Sequence, residues 1–383
     1  MTSSLRSLAL TEKVNEIFAR SELPASITIE DCVATLAMST TSFRRKLSQE
    51  ETSFKLIQQK FLNELCVEAL LTQEYHIDEL AAKLGYSERA TFERAFRHKF
   101  GITASQFREL SSLNDTQQCK HTLIKIAQHL PPMSDSCKQL IKEKEQGHLD
   151  TVMITNIINR DPVLSGRIIG LASKAIYGRT PKDLQDAIGR NLGVTTVLNV
   201  AMLFSMKDAL QDHVSPIIIN SYSDAFMLAP KLFQLLRKSC SKTIKWDISL
   251  TEQVLIFGLL GIFLLTHKQM LKRDLVMHSL QGIDCLRSLN QHIKACTGKS
   301  IYSASALMLS LWHLDASVIK QLAHIDRVSL GLTKGSEQDR IVLFMMSCLY
   351  RAAANHDEDD EMAQQAQLLN ITCIDDINSL LHA

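Results

Sequence analysis

Two basic segments of this chain carry side chains suited to hydrogen-bonding an anionic polymer. An arginine guanidinium donates two parallel hydrogen bonds to a phosphate or to the edge of a guanine, whereas a lysine acts as a point charge. In each segment two apolar residues stand four positions apart, Phe43 with Leu47 and Phe92 with Phe96, so on a helix they share one face. With that face docked inward, a basic face stays free on the surface. Its members are Arg44, Arg45 and Lys46 in the first segment and Arg89, Arg94 and Arg97 in the second.

The two segments follow an internal repeat that would position them. Residues 29–39, IEDCVATLAMS, align with residues 77–87, IDELAAKLGYS, forty-eight positions later. Each copy has a helical apolar face, a small residue expected inside, a tight corner and a serine expected to cap the next helix. This is the order of a helix-turn-helix. Apolar residues recur every three or four positions through residues 53–71, and a helix there would hold the copies in fixed register. The equivalent positions are Ala34 and Ala82 inside, Ala37 and Gly85 at the corner, and Ser39 and Ser87 as caps.

Charge alone does not make this region a nucleic-acid binder. Residues 1–110 hold 14 Lys and Arg against 15 Asp and Glu, a net charge of −1, so the basicity is local to the two segments. For a single segment of this kind, the favoured interpretation is an ordinary helical corner with solvated arginines. Two copies at this spacing favour a functional surface instead.

The same stretch resembles the DNA-binding domain of AraC-type transcription regulators, in which one long helix joins two helix-turn-helix units. The resemblance covers about residues 27–110 and rests on LAMSTTSFRRKLSQEETSF and HIDELAAKLGYSERATFERAFRHKFGITASQFREL. It implies two recognition helices in adjacent major-groove segments of double-stranded DNA, about 34 Å apart. It further implies base contacts from Thr41, Arg44 and Arg45 and from Arg89, Ala90, Glu93 and Arg94, with phosphate contacts from Lys46, Arg97 and Lys99.

The whole chain predicts a helical protein of two domains. Only seven prolines and fourteen glycines interrupt its 383 residues, and alternating strand patterns are scarce, which indicates an all-α fold. Polar residues at 111–115 mark a boundary between a first domain, residues 1–112, and a second, residues 113–383. The N-terminal residues lack a secretory signal pattern and the nine cysteines are scattered, so we expect a cytoplasmic protein with reduced thiols.

The second domain resembles the HDOD domain, a signalling relative of the HD phosphohydrolases. The resemblance spans about residues 119–330, with a C-terminal helical extension beyond it, and Asp315 stands where a proline is usual. In the hydrolases a His-Asp pair after Gly-Leu-Leu binds a metal that activates water. Here Gly258-Leu259-Leu260 is followed by Gly261 and Ile262, neither of which has a side-chain ligand atom. The matching motifs are Leu130-Pro131-Pro132, Asp161 to Leu164, Ser173 to Gly178, Ala187-Ile188 with Leu192-Gly193, and Leu311 to Leu314.

No other constellation in the sequence indicates catalysis. His313 and His324 stand eleven residues apart, about three helical turns. Histidines without carboxylate neighbours are more often surface or hydrogen-bonded core residues than metal ligands. The sequence contains no HExxH, GxxxxGK[ST] or nucleophile-elbow motif. We therefore expect no metal, no cofactor and no catalytic residue.

The most apolar stretch is VLIFGLLGIFLL, residues 254–265. Charged and polar residues bound it before it reaches the roughly 20 residues that a membrane span needs. The sequence therefore predicts one buried helix and no membrane insertion. Ser249 and Glu252 have the spacing of a capping box at its start.

Taken together, these features favour a bacterial transcription regulator whose second domain senses a signal, mediates homodimerisation or binds a partner. The resemblance to HDOD proteins implies a small-molecule or cyclic-dinucleotide effector, or a protein partner. Two alternatives stay open at this point. One is a scaffold whose helix-turn-helix domain binds protein, which the near-neutral charge favours, and the other is a divergent metal-dependent phosphohydrolase.

Overall fold

A computed structural model describes residues 9–50, 52–72, 75–100, 102–111, 126, 133–240, 244–312, 314, 316–355 and 360–382. Over these ranges the chain folds into helices joined by short turns and contains no strand, which confirms the predicted all-α class. The chain divides into two compact units, Met1–Ser112 and Leu113–Ala383. Each unit has a hydrophobic core of its own.

The first unit consists of two helix-turn-helix pairs joined by one long helix. Helices α2 and α3 form the first pair, α5 and α6 the second, and α4 lies between them in the chain. The helices are α1 (Leu10–Arg20), α2 (Ile29–Thr35), α3 (Thr40–Gln49), α4 (Phe54–Thr72), α5 (Ile77–Lys83), α6 (Arg89–Phe100) and α7 (Ala104–Ser111).

The corner of each pair places one residue in the left-handed region of backbone space, as the repeat predicts. Ala37 has φ 50° and Gly85 has φ 83°. Ser39 caps α3, since its side chain accepts a hydrogen bond from the amide of Ser42 at 3.2 Å. The equivalent prediction for Ser87 is wrong, because α6 begins at Arg89 and Ser87 lies two positions before it. In the second copy, the turn therefore extends one residue further than in the first.

The two pairs bury equivalent aromatic and aliphatic residues. Phe43 and Leu47 pack inside the first pair, and Phe92 and Phe96 inside the second. The prediction that Ala34 and Ala82 lie inside is wrong, because both are exposed. The buried residue of each copy lies two positions earlier, at Cys32 in the first pair and Leu80 in the second.

Helix α4 fixes the position of one pair relative to the other. The side-chain amide of Gln58 donates to the carbonyls of Pro24, Ala25 and Ile27 at 3.0 to 3.3 Å. The second pair reaches the same segment, since the Lys83 ammonium donates to the Glu22 carbonyl at 3.2 Å. These bonds tie both pairs to residues 22–27, and the predicted fixed register has a physical basis in them.

The second unit is a larger array of helices. Its longest helices are largely buried, and α12 has apolar residues around most of its circumference. The helices are α8 (Asp135–Glu145), α9 (Thr151–Asn159), α10 (Pro162–Ala172), α11 (Leu184–Leu192), α12 (Val194–Leu210), α13 (Pro216–Phe226), α14 (Ala229–Ser239), α15 (Ile248–Phe257), α16 (Gly261–Leu265), α17 (Arg273–Gly282), α18 (Leu286–Thr297), α19 (Ile301–Leu311), α20 (Ala316–Ser329), α21 (Glu337–Ala354), α22 (Asp360–Leu368) and α23 (Ile374–Leu381).

Local signals in the sequence set the ends of α10 and α11. Asp161 caps α10, with its carboxylate accepting from the amide of Leu164 at 3.0 Å, and Pro162 occupies the first turn. Gly193 ends α11 with φ 83°, and the chain bends by 112° there into α12. The predicted cap and the predicted helix end are both found.

The apolar run is buried, but it forms two helices rather than the predicted one. Helix α15 ends at Phe257 and α16 begins at Gly261. The predicted capping box is also wrong, because Asp247 caps α15 and Glu252 lies inside the helix, accepting a hydrogen bond from Thr196. Residues Ile248–Leu265 are long and apolar enough for a membrane span by length and composition, yet 83% of this segment is buried inside the protein. We interpret it as a core segment.

The two corners allow a matched test of backbone strain. Alanine incurs a steric cost in the left-handed region that glycine avoids. We expect Ala37→Gly to raise the free energy of unfolding by about 0.5 to 1 kcal/mol. Gly85→Ala should lower it by about 1 to 3 kcal/mol, since the added methyl group would lie 2.8 Å from the Cβ of Ala25. Urea unfolding of both variants measures this, and equal signs for the two changes would contradict it.

Candidate nucleic-acid interface

Helix α3 presents a basic surface opposite its buried face. Thr41, Arg44, Arg45 and Lys46 are all exposed. No acidic residue lies within the helix. The first acidic residue after it, Glu50, accepts hydrogen bonds from the amides of Leu10 and Thr11 and from the Thr11 hydroxyl, at 2.6 to 3.0 Å.

Those hydrogen bonds also act on the charge of Glu50. Partial burial raises its pKa, but the donors from Thr11 and Leu10 outweigh this and hold the pKa below its usual range. The carboxylate is therefore ionised and engaged at the start of α1. The basic face of α3 is left without a neutralising partner in its own helix.

Helix α6 presents its predicted residues less uniformly. Arg89, Ala90, Arg94 and Arg97 are exposed. Arg89 is held by carboxylates, because its guanidinium lies 3.4 Å from Asp78 and 3.9 Å from Glu93. Arg94 makes a local hydrogen bond to the Thr91 hydroxyl at 3.3 Å. Lys99 belongs to α6, but its side chain lies outside the described residues.

Glu93 has a structural contact that the sequence did not reveal. One of its oxygens accepts the amide hydrogen of Ala104 at 3.0 Å, at the start of α7, and only 18% of its side chain is exposed. A carboxylate at a helix N-terminus satisfies an otherwise unpaired donor. The partner lies eleven residues away, beyond the reach of any local capping pattern. The predicted base contact of Glu93 stays a prediction, with this second role beside it.

In the second unit, Gly261, which the resemblance aligns with the metal pair of the hydrolases, lies against closely packed backbone. A methyl group added at Gly261 would lie 2.6 Å from the amide nitrogen of Ser305 and 2.8 Å from the Cβ of Ala304. The Ser305 hydroxyl accepts from the Gly261 amide at 2.7 Å and donates to the Gly258 carbonyl at 2.6 Å. One serine side chain thus bridges the break between α15 and α16. Any side chain at position 261 would displace helix α19.

His324 is paired with a carboxylate. Its Nε2 atom lies 3.1 Å from Asp339, beside a cavity of about 220 Å³ that Asp247 and Thr251 also line. Burial raises the pKa of Asp339, but hydrogen bonds from His324 and Ser336 hold it below its usual range. His313, the second predicted histidine, lies outside the described residues. Among the described side chains no group of three His, Cys, Asp or Glu residues is arranged to hold a metal ion.

Residues 130–328, just over half of the chain, match the HDOD domain family. The chain belongs to this family. The matched residues contain the Gly258–Gly261 break, its contact with Ser305, and His324. The AraC-type resemblance is also confirmed, since residues 32–110 match a helix-turn-helix domain. The matched residues include every position predicted to contact DNA.

Curated relatives match about a fifth of this HDOD-family chain. An HTH-type transcriptional regulator of Mycobacterium tuberculosis, described as uncharacterised, is 29% identical over 80 residues, which is 21% of this chain and 23% of the relative. The HTH-type transcriptional regulator VqsM of Pseudomonas aeruginosa is 34% identical over 73 residues, 19% of this chain and 22% of that one. The chain thus spans less than a quarter of these relatives.

Solved structures resemble a larger part of the chain at low identity. An HDOD domain protein of unknown function from Geobacter sulfurreducens has TM-score 0.48 and 11% identity, covering 69% of this chain and 97% of that one. A protein from Marinobacter aquaeolei VT8 with a provisional signal-transduction name has TM-score 0.49 and 16% identity, covering 79% and 69%. One from Shewanella amazonensis SB2B with a provisional phosphohydrolase name has TM-score 0.47 and 17% identity, covering 68% and 92%.

The contact between Glu93 and α7 predicts a stability effect separate from any effect on DNA. Glu93→Ala leaves the Ala104 amide without its acceptor and should lower the free energy of unfolding by about 1 kcal/mol, as other lost caps do. Glu93→Gln keeps an acceptor oxygen and should change it by only a few tenths. Thermal unfolding without DNA measures both, and equal losses would mean that the charge, rather than the acceptor, matters.

The packing at Gly261 predicts that a single methyl group is not tolerated there. Gly261→Ala should lower the free energy of unfolding by about 3 kcal/mol or more, because overpacking at this contact requires a backbone shift. Gly170 lies within α10 with open space around it, so Gly170→Ala should instead stabilise by about 0.5 to 1 kcal/mol. Urea unfolding compares them, and a mild effect at Gly261 would show that α16 and α19 can separate.

Proposed function

We propose that this protein is a sequence-specific, DNA-binding transcription regulator that acts in the cytoplasm. Its residues 1–112 form the DNA-binding domain. Residues 113–383 form an HDOD domain with a C-terminal extension that senses a signal, pairs protomers or binds a partner. The observation that carries the proposal is the pair of exposed basic helices, α3 and α6, at equivalent positions of one rigid unit.

The chemistry of the two helices favours base recognition over simple charge attraction. Arginine can bridge the O6 and N7 atoms of guanine, and a threonine or alanine methyl group can contact the thymine methyl group. Of the arginines predicted to contact bases, Arg44, Arg45 and Arg94 are not held in an ion pair among the described residues. With Thr41 and Ala90 they form the base-reading set, while Lys46 and Arg97 hold phosphates. Arg89 is positioned by Asp78 and Glu93, which preorganises its guanidinium.

The near-neutral charge of the first unit argues in the same direction. A net charge of −1 over residues 1–110 gives weak long-range attraction to DNA in general. Binding must then come from contacts made when both helices lie in the groove. Two helices that differ in sequence and share one rigid unit would read an asymmetric site about one turn of DNA in length.

The HDOD domain in this proposal is not catalytic. The position where hydrolase relatives place a metal-binding histidine is Gly261, and its Cβ direction is occupied by the backbone of α19. His324 is already paired with Asp339. A signalling role does not require a metal ligand at position 261 or at His324.

Genome-wide mapping of bound sites, followed by in vitro binding of the recovered sequence, tests the proposal. The full-length protein should prefer one motif, with an affinity that falls steeply as salt rises. Absence of any preferred DNA, together with unchanged transcription in a deletion strain, would contradict the proposal. Salt-independent binding to a protein would instead support the scaffold alternative.

Individual arginines should separate base reading from phosphate contact. We expect Arg44→Ala and Arg94→Ala each to weaken binding to the preferred motif by about 1 to 3 kcal/mol and to relax the base preference. Arg20→Ala is the control, since Arg20 is exposed on α1 and pairs with Glu16. Fluorescence anisotropy on the motif and on single-base variants measures this. An equal loss on every sequence would make these arginines phosphate contacts.

A further inference from the structure

The HDOD domain contains an apolar cavity that the proposed DNA contacts do not involve. It has a volume of about 250 Å³ and lies among α18, α19, α21 and α22. Leu343, Phe344 and Leu368 form part of its apolar wall. Leu368 is 81% exposed, an unusual amount for a leucine beside a core. A ligand in the cavity would cover it.

The hydroxyl of a buried tyrosine, Tyr302, lies at this cavity. Tyr302 is 1% exposed and lines the cavity, and no described group accepts a hydrogen bond from its hydroxyl. The other hydroxyls of the wall are satisfied, since Ser329 donates to the Asp326 carbonyl and Ser347 to the Leu343 carbonyl. Burial raises the pKa of Tyr302 well above its usual value, so it is a neutral donor. The hydroxyl is therefore able to donate a hydrogen bond to a ligand in the cavity.

Two cations lie at the same cavity. Arg287 on α18 and Arg340 on α21 line it and are exposed, and neither makes an ion pair with a described residue. A guanidinium pairs well with a carboxylate, and the pair is stronger when a second donor shares the anion. Tyr302 offers that second donor, and the apolar wall offers a place for a hydrocarbon chain.

The size of the cavity limits the ligand. At roughly 30 Å³ for each water molecule, it holds about eight waters, which corresponds to a ligand of on the order of ten non-hydrogen atoms. We infer that the cavity binds a small amphipathic monocarboxylate, with its carboxylate between Arg287 and the Tyr302 hydroxyl and its aliphatic chain against Leu343, Phe344 and Leu368. As an effector, this ligand rests on the proposed regulatory function.

Calorimetry on the full-length protein with octanoate tests the site. Octanoate should bind saturably with one site per chain. Octanamide, which lacks the charge, and butanoate, which lacks the longer chain, should each bind about tenfold more weakly or worse. Equal affinity for octanoate and octanamide would overturn the inference, as would the absence of saturable octanoate binding.

Two variants and one control locate the binding. Arg287→Met should weaken octanoate binding by about tenfold to a hundredfold, and Tyr302→Phe by about threefold to tenfold. Arg237→Met makes the same substitution outside this cavity and should leave binding unchanged. Thermal unfolding without ligand checks that each variant folds. Equal effects of Arg287→Met and Arg237→Met would overturn the assignment.

The same samples separate this inference from the proposed function. Octanoate binding is measured without DNA, and binding to the preferred motif is measured without octanoate. Octanoate binding that fails while motif binding persists overturns only the ligand site. If the protein binds octanoate but no DNA motif, only the proposed regulatory function is overturned.

Discussion

A single serine hydroxyl organises the centre of the HDOD domain. Where α15 ends, the Gly258 carbonyl and the Gly261 amide lose the regular hydrogen bonds of a continuous helix, and Ser305 satisfies both. The bond is possible only because the backbones of α16 and α19 approach closely, and that approach requires glycine at position 261. The same contact therefore stabilises the break between the two helices, holds α16 against α19 and leaves no space for a side chain at position 261.

The helix-turn-helix unit depends on a comparable constraint at a smaller scale. Residues 22–27 form a short link between α1 and α2, and groups from α4 and from the second helix-turn-helix pair converge on its carbonyls. Gly85 lies against Ala25 in the same place. Because hydrogen bonds have directional geometry, these contacts hold the two pairs at one distance and one angle. Apolar packing alone is less directional and would constrain the relative position of the two pairs less tightly.

Sequence periodicity predicted the elements of this fold well, and the long-range contacts poorly. The repeat located both corners and both pairs of buried aromatic or aliphatic residues, because these follow from helical spacing and from the alignment of Ala37 with Gly85, a residue type that adopts the left-handed region at little cost. It could not locate the hydrogen bond from the Ala104 amide to Glu93, because these residues belong to different helices and lie eleven positions apart. Nor could it show that Asp247, rather than Ser249, caps α15, since both residue types cap equally well. The break after Phe257 was missed because its stabilising group, the Ser305 hydroxyl, lies 44 residues after Gly261 in the chain.

The candidate DNA surface shows what sequence can and cannot say about specificity. Residue types and spacing identified the exposed arginines, but ion pairs distinguish them physically. Arg89 lies beside two carboxylates, Asp78 and Glu93, which neutralise part of its charge and fix the orientation of its guanidinium. Arg44 and Arg45 face solvent on a helix without acidic residues, so they lose little on meeting DNA. Under the proposed function, the two helices therefore contribute differently: α3 supplies adaptable charge, and α6 supplies a preorganised arrangement whose geometry is set by Glu93 and α7. Because the first unit has almost no net charge, electrostatic attraction contributes little affinity for a mismatched site. Such an arrangement therefore increases the difference in affinity between the preferred site and a mismatched one.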